Sequence, residues 1–99
     1  MMKSKSEVLT AIKEYKKALA KFGVKDIGLF GSYATESQND ESDIDILLDF
    51  EGEKETFDNF MATYDLLENL FKGKRVEVVT KNGLSPYIGP KILSEVVYV

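Results

Sequence analysis

The sequence predicts an α+β fold, a small mixed sheet with helices packed on one face, and three observations predict it. Three stretches of strand length, Lys25 to Phe30, Asp43 to Phe50 and Arg75 to Thr80, each keep a continuous apolar face. Longer segments with helical periodicity lie before the first strand and between the second and third. The strands are joined by short polar or glycine-containing connectors, with no internal repeat, low-complexity tract or linker. At 99 residues the expectation is one domain spanning 1–99.

Taken in order, Ser6 to Phe22 reads as an amphipathic helix. Val8, Ile12, Tyr15, Leu19 and Phe22 form its apolar stripe, Ser6 is the expected N-cap and Gly23 the stop. Lys25 to Phe30 is the first strand, in which Gly28 marks a close backbone approach. Gly31-Ser32 ends it, and Ser32 is expected to cap one helical turn over Tyr33 to Glu36. In the second strand Ile44, Ile46, Leu48 and Phe50 share the core face, opposite Asp43, Asp45, Leu47 and Asp49. Thr56 or Asp58 caps a helix whose apolar positions include Phe57, Phe60, Met61, Tyr64, Leu67 and Phe71. The third strand puts Val76 and Val78 on one face and Arg75, Glu77 and Val79 on the other. Ser85-Pro86 is expected to open a short helix running to Glu95, followed by an edge strand over Val96 to Val99.

Composition narrows the chemistry. There is no cysteine and no histidine, so neither a disulfide framework nor the usual zinc ligands exist, and the commonest general base is missing. Catalysis must use carboxylates, hydroxyls, lysines, backbone or metal. A net charge of −4 argues against nucleic acid as the main partner. No stretch is apolar for long enough to span a bilayer, and the expected setting is the cytoplasm, with no membrane partner.

Two devices remain. Gly31-Ser32 at the end of a strand lets a phosphate approach backbone N–H groups and a hydroxyl. Asp43 and Asp45, at i and i+2 of a strand, point to one face. If the second and third strands are neighbours, Glu77 joins them. Two bare carboxylates ~4 Å apart repel by about 4 kcal/mol at an effective dielectric near 20, so such a cluster needs protons or a cation. With oxygen ligands only, Mg2+ is favoured, with Mn2+ as the alternative. Taken singly, each piece also has a structural reading, since Asp-rich turns cap backbone groups and a strand glutamate can pair with Arg75 or Lys74. Together they point to chemistry on a nucleoside triphosphate, with a pair of divalent ions clamping an in-line displacement.

The spacing Gly31-Ser32, ten residues, Asp43-Ile44-Asp45 resembles the signature of the DNA-polymerase-beta-like nucleotidyltransferase superfamily. The segments GLFGSYA, SDIDILLDF, RVEVVT and the C-terminal GLSPYIGPKILSEVVYV resemble its minimal nucleotidyltransferase branch, a likeness running from Lys25 to Val99. The resemblance implies a two-layer fold with a mixed sheet. It implies transfer of a nucleoside monophosphate, expected to be AMP from ATP, to a hydroxyl with release of pyrophosphate. Gly31 and Ser32 would bind the nucleotide's terminal phosphates, Asp43 and Asp45 the metals, and Glu77 would be the third catalytic and metal-binding carboxylate, where the family usually has aspartate. The family often has Ala-Arg-Gly where this chain has Ala34-Thr35-Glu36.

The branch is commonly paired with an all-helical HEPN protein, a ribonuclease-type toxin for which the nucleotidyltransferase is the antitoxin. The first expectation is therefore a protein adenylyltransferase acting on a HEPN partner. The alternatives are a catalytically weak or inactive binding module that neutralises such a partner by complex formation, and a small-molecule nucleotidyltransferase.

Overall fold

The computed structural model describes residues 4–99. The expected mixed sheet is present, with four strands in the order β3-β2-β1-β4. β1 (Val24–Phe30) and β2 (Ile44–Phe50) run antiparallel, β2 and β3 (Val76–Thr80) run parallel, and β4 (Val97–Tyr98) adds antiparallel to the other edge of β1. The helices are α1 (Lys5–Glu14), α2 (Lys16–Ala20), α3 (Gly31–Thr35), α4 (Phe57–Leu70) and α5 (Gly89–Glu95). The parallel pairing of β2 and β3 requires a crossover, which α4 supplies.

The alternating faces set the layers. Ile27 and Leu29 from β1, Ile44, Ile46 and Leu48 from β2 and Val76 from β3 point to one side. There they meet Val8 and Ile12 of α1, Leu19 of α2, Leu67 of α4 and Phe71 at its C-cap. Burying one such side chain is worth about 1.5–3 kcal/mol, so this face anchors the fold. Phe30, Leu47 and Ile92 form a smaller cluster with Val79, Leu84 and Val96. Phe30 and Leu47 alternate with the main core residues, so α5 lies on the opposite face of the sheet from α1, α2 and α4. It covers only part of that face.

Several boundaries differ from the sequence reading, each for a local reason. The N-cap is Ser4 rather than Ser6. Ser4 Oγ accepts from the Glu7 N–H at 3.1 Å and Glu7 Oε1 accepts from the Ser4 N–H at 2.9 Å, a reciprocal box that Ser6, followed three residues later by Leu9, cannot form. The expected single helix breaks at Tyr15, whose N–H is shared by the Ile12 and Lys13 carbonyls. This tightened turn leaves Tyr15 42% exposed instead of buried in the stripe. Lys16 Nζ donates to the Val99 carbonyl at 2.6 Å, tying α2 to the end of the chain.

Thr56 caps α4, accepting from the Asn59 N–H at 3.1 Å, and Phe57 at the first helical position stays 78% exposed. The last helix begins at Gly89, not at Pro86. Pro90 has no N–H to give, so a helix cannot run through it from Pro86, but it is at home in a first turn. Ser85 instead closes a turn, its Oγ accepting from the Ile88 N–H at 3.2 Å.

Gly28 makes the close approach expected of it. A Cβ there would lie 2.5 Å from Val96 Cγ2 and 3.2 Å from the Val97 carbonyl oxygen. Gly28→Ala should therefore force β4 away from β1 and lower unfolding stability by about 1–3 kcal/mol, read as a fall in the urea midpoint.

Candidate active site

The site forms where β1 ends. Gly31 leaves the strand at φ 72°, a left-handed conformation that favours glycine, and opens the short helix α3. A Cβ on Gly31 would overlap Asp45 Oδ2, so the absent side chain is what lets the bend lie directly on that carboxylate. Ser32 is not the expected cap. It is the second residue of α3, whose N-cap is Phe30. Thr35, at the position of the family arginine, turns inward on its own helix: its Oγ1 lies 2.9 Å from Ser37 Oγ and 3.3 Å from the Gly31 carbonyl oxygen. Glu36, at the position of the family glycine, closes α3 in the left-handed region at φ 60°.

The sheet assembles the carboxylates. Asp45 is in register with Phe30 on β1 and with Glu77 on parallel β3. The neighbouring strand that the sequence reading required is therefore in place, and Asp45 and Glu77 share one face. Asp43 lies just before β2, and its Oδ1 accepts from Arg75 Nε at 2.9 Å. That guanidinium is mostly exposed, so the pair is held against solvent competition and is individually weak. Glu95, at the end of α5, completes the group. Its Oε1 accepts the Gly31 N–H at 3.3 Å. Sequence reasoning did not find Glu95, because it lies 64 residues from its partner and the helix carrying it was started too early.

The electrostatics follow from this crowding. Asp45 is raised from 3.8 to about 7, chiefly by burial, then by the charge of Glu77 and a hydrogen bond with it, and further by Asp43 and Glu95. Among the described residues no three acidic side chains already stand in a geometry that would ligate one cation. The donor set nonetheless suits a hard divalent ion. It is all oxygen, and it carries more negative charge than its one paired cation offsets, an excess that opposes the ionisation of Asp45. Asp45, Glu77 and, once released from Arg75, Asp43 are the side chains that would hold such an ion.

A raised pKa makes a pH-dependent cost. Between its unfolded value near 4 and its folded value of about 7, Asp45 binds more protons in the native state, so stability falls as pH rises through that window. In chelator, the Asp45→Asn variant should have the higher melting temperature at pH 8, with the gap to wild type shrinking toward pH 4. An equal gap at both pH values would refute the assignment.

Comparison with known proteins identifies the family. A family model described as a nucleotidyltransferase domain matches residues 11–99. The protein adenylyltransferase MntA of Thermococcus cleftensis is 42% identical over 94 residues, covering 94% of this chain and 93% of that protein. A solved structure described as a candidate minimal nucleotidyltransferase superposes with a TM-score of 0.80 at 27% identity, over 96% of this chain and 95% of that one. A mutant of the MntA-HpeT toxin-antitoxin shares the fold at a TM-score of 0.62 and 14% identity, over 97% of this chain and 71% of that one. By sequence, by fold and by the carboxylates gathered at its strand ends, the chain belongs to the nucleotidyltransferase domain family.

Proposed function

We propose that this nucleotidyltransferase transfers the AMP moiety of ATP to a hydroxyl of a partner protein, in a toxin-antitoxin pair whose other member is an all-helical HEPN toxin. The observation that carries the reading is the contact of Gly31 with Asp45, which puts a backbone cradle for phosphate against a carboxylate pair suited to a divalent ion. The similarity to a relative named as a protein adenylyltransferase supports protein as the acceptor class. The pairing of a fold relative with a toxin supports the kind of partner.

In the reaction the acceptor hydroxyl oxygen attacks the α-phosphorus and gives up its proton to solvent, the bond to the bridging oxygen of the β-phosphate breaks, and pyrophosphate leaves with those electrons. Gly31 and Ser32 hold the terminal phosphates through backbone N–H groups and the Ser32 hydroxyl. Asp43, Asp45 and Glu77 are the residues that would hold Mg2+, or Mn2+ in its place. When bound, the metal neutralises charge developing on the leaving pyrophosphate and lowers the pKa of the acceptor hydroxyl. Glu77, one methylene longer than aspartate, hydrogen-bonds with Asp45 from β3 and would share with it the holding of the ion.

A second reading has its own observation. Asp43 is engaged by Arg75, and Thr35 and Glu36 replace the family's arginine and glycine. A chain with those features could neutralise its partner by binding alone.

The test is transfer of label from α-labelled ATP to a candidate partner, a small helical protein encoded in a reading frame next to this gene. Wild type should label it, while Asp43→Asn and Asp45→Asn should reduce labelling by about 100-fold or more. Glu77→Gln should retain partial activity. Labelling by wild type no greater than by Asp43→Asn would remove the enzymatic reading. Full neutralisation of the toxin by Asp43→Asn/Asp45→Asn would favour the binding module.

A further inference from the structure

Glu95 has no task in the reaction as derived above, yet it occupies the donor that the reaction needs. Its Oε1 accepts the Gly31 N–H at 3.3 Å in a partly buried contact between α5 and the start of α3. On its other side Gly31 is closed by Asp45, whose Oδ2 fills the place a Cβ would take. The glycine at the bend thus meets two carboxylates, with Glu77 in register beside Asp45. Arg75, paired with Asp43, is the cation at this cluster among the described ion pairs.

We propose that Glu95 makes the cradle selective for triphosphate whose charge is neutralised by a divalent cation. Its carboxylate holds the Gly31 amide and repels a bare nucleoside triphosphate. A metal-complexed nucleotide brings positive charge to Asp45 and Glu77 and displaces Glu95 from the amide. Discrimination here is a difference of affinities created by placing like charge against the wrong ligand. The inference rests on the nucleotide-binding reading of the site, and Glu95 is a specificity residue rather than a catalytic one. Glutamine is the informative replacement, because its amide oxygen can still accept the Gly31 N–H while the charge is gone.

The experiment is calorimetric titration of the metal-free protein with ATP, in EDTA and separately in Mg2+, for wild type, Glu95→Gln, Glu95→Ala and Glu53→Gln. Glu53 is an exposed residue of the connector after β2, and its replacement changes net charge equally. Glu95→Gln and Glu95→Ala should bind metal-free ATP about tenfold or more tighter than wild type, with affinity for ATP in Mg2+ changed less than about threefold. Glu53→Gln should follow wild type in both buffers. Variants at Glu95 that bind metal-free ATP no tighter, or that tighten both forms equally, overturn the inference while leaving nucleotide binding by wild type intact. If neither wild type nor the Glu95 variants bind ATP in either buffer, the nucleotide reading of the site falls and this inference falls with it.

Discussion

The pairing of β2 with β1 on one side and β3 on the other is the constraint on which the remaining structure depends. It places a central strand with four apolar residues turned to one layer and aspartates at its mouth turned to the other. Once Ile44, Ile46 and Leu48 are buried against α1, α2 and α4, strand alternation leaves Asp45 no choice of face. The hydrophobic core thus holds a carboxylate in a position it would not adopt on its own. A one-residue slip of register would put Asp45 into the core and Ile46 into the site, so the burial that stabilises the fold also fixes the chemistry.

The crowding at Asp45 is a destabilising feature retained at a functional position. Burial and the charges of Glu77, Asp43 and Glu95 all oppose its ionisation. No part of the fold requires an acidic residue there, since the same face holds apolar Phe30 and Leu47 close by. Perturbed acids of this kind concentrate where a ligand or cation completes the electrostatics. α5 takes part from both ends of this argument. Ile92 closes the small cluster over Phe30 and Leu47, and Glu95, one turn further on, reaches the Gly31 amide. The helix that partly covers the second face is also the one that reaches the bend at Gly31.

Much of the fold was legible because its signals are local. The periodicity of β2 and the alternation in β3 can each be read from a few neighbouring residues. The misreadings came where two local signals competed. Ser6 looks like a cap until Ser4 and Glu7 are seen to satisfy each other. Pro86 looks like a helix start until Pro90 is seen to forbid continuation. Tyr15 belongs to the apolar stripe by spacing, but a break with no proline or glycine to mark it leaves the ring in solvent.

Sequence alone determined the chemical inventory: with no histidine or cysteine, any site had to be built from carboxylates, hydroxyls, lysines, backbone or metal, and the spacing of Gly31-Ser32 from Asp43 and Asp45 pointed to the family. It also determined which face of β2 each aspartate would take, because alternation is a property of the strand itself. Tertiary structure decided what those groups meet. Glu77 stands beside Asp45 through strand pairing, Arg75 holds Asp43 across the same pair, and Glu95 arrives from the far end of the chain. Contacts between residues distant in sequence depend on how apolar faces close over one another, and no local pattern carries that information.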